Sequence, residues 1–207
     1  MAFDLGTATH EASHAVTSWA LGRGTWLIEI DECGGQFRAQ PSAGTIDERV
    51  AFSGLCDDIR ARGPRAIEPE MADRLVVIMS GMAGSRYVDP RWALAGAEDT
   101  ERAEELAAAV CPSPRVAERL LDVCWFRACR LVDQHADRIE HLAAVLLERR
   151  HLEGRELREL IDRAPPRRRH RWPSEDQIKR AVEAATGALG VDADGGEIRV
   201  RADGFVL

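Results

Sequence analysis

The pentapeptide His10-Glu11-Ala12-Ser13-His14 sets two histidines four positions apart. On an α-helix this spacing places both imidazoles on one face, where they can bind one metal ion. Glu11 lies too far round the helix to join the same ligand set easily, but it can act as a general base toward a water that the metal activates. The pattern therefore predicts a helical metal site, and zinc is the metal typical of it.

The alternative interpretation is a pair of ordinary surface histidines, because a motif with three fixed positions also occurs by chance. The apolar side of the predicted helix consists of Ala12, Ala15, Val16, Trp19 and Ala20. His10 and His14 fall on the opposite side of the helical wheel, together with Thr17 and Leu21. The two histidines are therefore not predicted to be core residues, which leaves solvated histidines as the alternative to a metal site.

A catalytic zinc site needs a third protein ligand and leaves its fourth position to water. The acidic stretch Glu98-Asp99-Thr100-Glu101 opens a predicted helix and offers carboxylates. Acidic residues are also favoured at helix N-termini by capping and by the helix dipole, without any metal. Spacing alone does not choose among Glu98, Asp99 and Glu101.

Three segments of the chain resemble, in the right order, the peptidase domain of the FtsH family of membrane-anchored, ATP-dependent zinc proteases. Residues 10–16 are similar to the family's H-E-A-G-H-A-hydrophobic motif, with Ser13 where glycine is usual. Residues 95–103 are similar to its T-G-A-x-x-D-L-x-R-A segment, one residue shorter before the aspartate. Residues 147–157 are similar to its closing L-L-E-x-x-x-L-x-G-x-E-hydrophobic pattern, so the resemblance spans about residues 8–162.

The resemblance implies that Asp99 is the third zinc ligand beside His10 and His14, with Glu11 as the catalytic base. The family's G-G-R-x-A-E-E helix is matched only by Ser80–Arg86, without the paired glutamates. The family's AAA ATPase module and transmembrane anchor are absent from this sequence.

A sheet edge beside the metal helix often holds the substrate of a zinc peptidase as an added strand. By resemblance, the candidate edge surrounds Ala43, Gly44 and Thr45, which are the predicted substrate-binding residues. An ordinary hairpin that packs on the first helix is the alternative interpretation of this stretch.

We therefore expect an ATP-independent zinc metallopeptidase that hydrolyses flexible or unfolded polypeptides. Two alternatives stay open: a non-catalytic module that binds zinc or peptides, and a peptidase subunit that works with a separately encoded ATPase. The family's peptidase domains form hexameric rings, so a homo-oligomer is compatible with the resemblance, as is a monomer.

Composition narrows the class of protein further. The net charge of −7 argues against a nucleic-acid partner, since phosphate contacts need a basic surface. The five cysteines contain no C-x-x-C pair, so neither a zinc ribbon nor a disulfide framework is predicted. No long uncharged apolar run is present, and we expect a soluble, cytoplasmic protein without a membrane partner.

The fold predicted from periodicity is mainly α, a helical zinc-peptidase domain with a small β-sheet beside the metal helix. Thr7 or Thr9 is expected to cap the first helix, which ends near Leu21. A strand over 25–30 and an extended piece over 36–39 follow, with later helices over 45–61, 69–88, 99–110, 114–150 (broken near 135) and 155–163. The predicted organisation is a peptidase domain (1–163), a basic, proline-bounded linker (164–173) and a short α+β C-terminal appendage (174–207).

Overall fold

The computed structural model describes residues 5–31, 34–38, 54–57, 59, 61, 69–88 and 97–164. The described elements are α1 (Leu5–Ala20), β1 (Leu27–Ile30), β2 (Gly35–Arg38), α2 (Pro69–Val88), α3 (Ala97–Val110), α4 (Pro114–Gln134), α5 (Ala136–Arg149), β3 (His151–Glu153) and α6 (Gly154–Arg163). Residues 54–57, 59 and 61 are also helical. The prediction of a mainly helical fold with a small sheet is thus confirmed.

Most predicted helix boundaries that fall on described residues agree with the structure. The break near residue 135 separates α4 from α5, and α1 ends one residue before the predicted Leu21. The capping prediction is wrong, because α1 begins at Leu5, ahead of both Thr7 and Thr9. The linker beyond Ala164 and the appendage over 174–207 lie outside the described residues.

Helix α1 is buried on nearly all sides. Its polar residues Thr9, Ser13, Thr17 and Ser18 are as inaccessible to solvent as its alanines. Helices α2 and α5 and the sheet all contact α1. The alternative interpretation of two solvated surface histidines does not agree with the structure, because α2 covers the face that carries them.

The sheet is antiparallel, with β1 between β2 and β3. In the register of the strands, Ile28 lies opposite Phe37 on one side and Leu152 on the other. Ile28 and Leu152 are fully buried, and β2 contacts α1, so this row of side chains lies on the α1 side of the sheet. Strand β3 was not predicted, because its three residues carry too short a pattern to be recognised without their partner strand.

Helices α1 and α2 approach each other closely because small residues face one another. A Cβ atom added to Gly84 would collide with the Ser13 hydroxyl and lie 2.7 Å from Ser13 Cβ. The Ser13 hydroxyl donates a hydrogen bond to the Thr9 carbonyl at 2.6 Å, which fixes it in this position. None of the described helices is long and apolar enough to cross a membrane.

The contact between Ser13 and Gly84 predicts that a larger side chain at position 84 is tolerated only when the side chain at position 13 is made smaller. Gly84→Ala alone is expected to lower the free energy of unfolding by about 1–3 kcal/mol, as overpacked core positions do. Adding Ser13→Gly removes the colliding side chain, and the helix-propensity changes of about 1 kcal/mol oppose each other, so most of the loss should be recovered. A double-mutant cycle from urea denaturation measures this coupling. Strictly additive effects of the two changes would contradict the contact.

Candidate metal centre

Helices α1 and α3 bring two imidazoles and one carboxylate to a common point. Asp99 Oδ2 lies 2.9 Å from His10 Nε2 and 3.2 Å from His14 Nε2. Ligand atoms around a tetrahedral zinc ion, with bonds near 2.0–2.1 Å, are about 3.3 Å apart. His10, His14 and Asp99 can therefore hold one ion, and they are the one such group among the described residues.

The carboxylate oxygen at the centre of this group has no conventional hydrogen bond. Asp99 Oδ2 is buried, and neither Nε2 atom meets it in regular hydrogen-bonding geometry, although both are close. A buried carboxylate oxygen without such a partner is costly unless something positive satisfies it. The arrangement therefore fits a cation that all three atoms would share.

The structure distinguishes Asp99 from its acidic neighbours. Asp99 lies in the first turn of α3, where its side chain points to α1. Glu98 is exposed and pairs instead with Arg102 at 2.7 Å, and Glu101 is exposed. Of the three acids that spacing left open, Asp99 is the one beside both histidines.

Gly81 of α2 leaves room beside the two Nε2 atoms. A Cβ atom at this position would lie 2.6 Å from His10 Nε2 and closer still to His14 Nε2. These distances are only slightly longer than a metal–nitrogen bond, so a side chain here would fill the space that an ion needs. Gly81 therefore keeps the ligand atoms accessible to a metal.

Helix α2 also orients both imidazoles through their other nitrogen. His14 Nδ1 donates to the Val77 carbonyl at 2.7 Å, and His10 Nδ1 lies 3.1 Å from Ser85 Oγ. On the side of the sheet, Phe37 stacks on the His14 ring with a centroid distance of 5.6 Å. Contacts of this kind fix the rotation of a metal-binding imidazole and direct Nε2 to the ion.

Glu11 lies beside the metal ligands in a closely packed environment. Its side chain is only 5% exposed, and a Cβ atom on Gly35 of β2 would lie 2.5 Å from its Oε1 atom. Burial raises the pKa of the Glu11 carboxyl above its ordinary value, although the charges of His14 and His10 oppose this shift. Glu11 is thus a carboxylate with increased affinity for a proton.

The electrostatics of the ligand group favour a positive charge. Burial disfavours a charged imidazole, but the Asp99 carboxylate outweighs it and raises the pKa of His14 to about 9. Burial likewise opposes ionisation of Asp99, yet His14 and His10 hold its pKa well below the usual range. The group therefore attracts a cation to its centre.

Sequence reasoning missed the residues of α2 and β2 that surround the ligands. The signal for α2 was the abundance of small residues over 80–85, all but Met82, which a close helix contact requires. The Val77 carbonyl could not have been found, because every residue has one. The predicted substrate-binding residues Ala43, Gly44 and Thr45 lie outside the described residues.

The choice of Asp99 as ligand can be tested against its neighbours. Asp99→Asn removes an anionic oxygen and should weaken zinc binding severely, while asparagine keeps the size of the side chain. Glu98→Gln and Glu101→Gln remove the same charge outside the ligand group and should bind zinc as the wild type does. Zinc content by mass spectrometry and affinity by chelator competition measure the difference. Loss of zinc in Glu98→Gln but not in Asp99→Asn would contradict the assignment.

The space beside Gly81 gives an independent test. Gly81→Ala places a methyl group against both Nε2 atoms and should abolish zinc binding. Gly54→Ala is the matched control, because nothing lies within 4 Å of the methyl group that it adds. Unchanged zinc affinity in Gly81→Ala would show that the ion binds elsewhere.

Comparison with known proteins does not supply a family for this chain. No protein-family model matches it, and no curated protein matches it significantly. The function is therefore argued from the metal centre and its surroundings.

Proposed function

We propose that this chain is an ATP-independent zinc metallopeptidase of the FtsH type, which hydrolyses peptide bonds in flexible or unfolded polypeptides. The observation that carries the proposal is the convergence of His10, His14 and Asp99 next to a buried glutamate on the same helix. An ordinary pair of surface histidines would have neither the buried carboxylate partner nor the fixed ring orientations.

The donor atoms fit zinc. Two imidazole nitrogens and one carboxylate oxygen are a ligand set of catalytic zinc sites, which keep a further position open for water or substrate. The same donor types also bind iron(II), so the donor set alone does not select zinc. Glu11 supports zinc-dependent hydrolysis, since a general base beside the ion has a direct role in that reaction.

Glu11 would move the protons of the reaction. Zinc, when bound, would supply Lewis acidity to the peptide carbonyl and lower the pKa of an adjacent water to about 7. Glu11 would accept a proton from the attacking water and return it to the amide nitrogen that leaves. The raised pKa of this carboxyl suits the first of these roles, because it makes the carboxylate a better proton acceptor. His10, His14 and Asp99 would hold the ion.

The position of the site supports an extended substrate. The side chains of His10 and Asp99 are 15% and 12% exposed, so the ligand group is recessed. A flexible segment can enter a recessed site, whereas the backbone of a folded protein is held away from it. Hydrolysis consumes water and no nucleotide, so cleavage of such a segment should not require ATP.

One departure from the family pattern has a physical explanation. The family motifs have glycine where this chain has Ser13 and alanine where it has Gly84. These two residues contact each other between α1 and α2, so the larger residue has changed helix. This exchange of size supports the resemblance, because each difference compensates for the other.

Glu11→Gln tests the mechanism. The amide cannot accept a proton from water, so hydrolysis should fall by about 10²–10⁴-fold while zinc content and fold stay unchanged. Cleavage of a fluorescently labelled unfolded protein, without ATP, measures the rate. Glu98→Gln is the control, with the same chemical change at an exposed position outside the site.

Cleavage at the wild-type rate by Glu11→Gln would contradict the proposed role of Glu11. If the wild-type protein binds zinc but cleaves no unfolded substrate, the non-catalytic module becomes the better explanation.

A further inference from the structure

The two histidines of the metal centre are held in different ways. His14 Nδ1 donates to a main-chain oxygen, the carbonyl of Val77, which no substitution removes. His10 Nδ1 lies against a side chain, the hydroxyl of Ser85. The hydrogen bond that orients His10 therefore depends on the identity of one residue, whereas the hydrogen bond that orients His14 does not.

The positions of the hydrogen atoms between His10, Ser85 and Gly81 can be assigned by counting the donors and acceptors of these three residues. When Nε2 binds a metal ion, the neutral ring must carry its hydrogen on Nδ1. Ser85 has one hydroxyl hydrogen, and its Oγ atom donates it to the Gly81 carbonyl at 3.1 Å. The lone pairs of Oγ then accept the hydrogen of His10 Nδ1 at 3.1 Å. His10 Nδ1 thus donates to Ser85 Oγ, and Ser85 Oγ donates to the Gly81 carbonyl, so both hydrogens have an acceptor.

We propose that Ser85 is a positioning residue of the metal centre, which holds His10 in the tautomer and ring orientation that present Nε2 to the ion. The inference rests on the proposed function, because it concerns the same site. Ser85 is 1% exposed, so solvent has no ready access to replace its hydroxyl. Without Ser85, the Nδ1 hydrogen of His10 would be left without an acceptor at this position.

An uncharged partner also suits the charges already present. Asp99 and Glu11 are two buried carboxylates within one small region. A third carboxylate behind His10 would add to the cost of burying negative charge. The serine hydroxyl orients the ring without adding charge to the site.

Zinc affinity, measured by competition with a chromophoric chelator, tests this role without any peptidase assay. Ser85→Ala should weaken zinc binding by about 10- to 100-fold, which is typical for loss of an outer-shell partner. Ser85→Cys keeps the size of the side chain but accepts hydrogen bonds poorly, so it should weaken binding similarly. Ser18→Ala is the matched control, because it removes a buried hydroxyl that bonds to the Gly24 carbonyl, away from the ligands.

Nuclear magnetic resonance gives a second readout. The zinc-loaded wild type should show a slowly exchanging Nδ1 hydrogen on His10, and both Ser85 variants should lose this signal. Wild-type zinc affinity in both variants would overturn the inference. So would wild-type affinity in Ser85→Cys with weak binding in Ser85→Ala, because Ser85 would then only fill space. A wild type that binds no zinc would overturn the metal centre itself, whereas absence of peptidase activity would leave these zinc measurements decisive.

Discussion

The close approach of α2 to α1 is the constraint on which the rest of the candidate metal centre depends. Side chains at Gly81 or Gly84 would collide with His10, His14 or Ser13. Because these positions carry no side chain, the α2 backbone comes near enough for its Val77 carbonyl to accept a hydrogen bond from an imidazole. The contact between α1 and α2 therefore determines both the helix packing and the orientation of the imidazoles. A substitution that separates the two helices would change both.

This contact also creates an electrostatic problem that a cation would solve. Packing removes both Asp99 and Glu11 from solvent, and isolated buried carboxylates are strongly unfavourable. The protein compensates for part of this cost, since the raised pKa of His14 favours a positively charged imidazole beside the Asp99 carboxylate. A divalent ion would satisfy the same oxygen with more charge. Binding an ion to the folded state alone would then also stabilise the fold.

Much of the fold could be predicted from the sequence, because most elements carry strong local signals. The apolar periodicity and breaking residues gave the bounds of α2 and the junction of α4 with α5 close to those observed. Burial of the polar side of α1 could not be predicted, since serine and threonine become core residues only when another helix supplies their neighbours. At the site, spacing gave the two histidines, but choosing Asp99 needed either the family resemblance or the structure. Strand β3 exists through its pairing with β1, which local pattern does not encode.

Positions at which this chain differs from the FtsH motifs that it resembles contact one another or a candidate metal ligand. Ser13 and Gly84 are two such positions, and they meet at one contact between α1 and α2. Ser85 stands where the pattern has the first of its paired glutamates, and it contacts His10 in this chain. A hydroxyl at this position gives the ring a hydrogen-bonding partner that carries no charge. In this chain these positions combine close packing of α1 on α2 with an uncharged partner for the His10 ring.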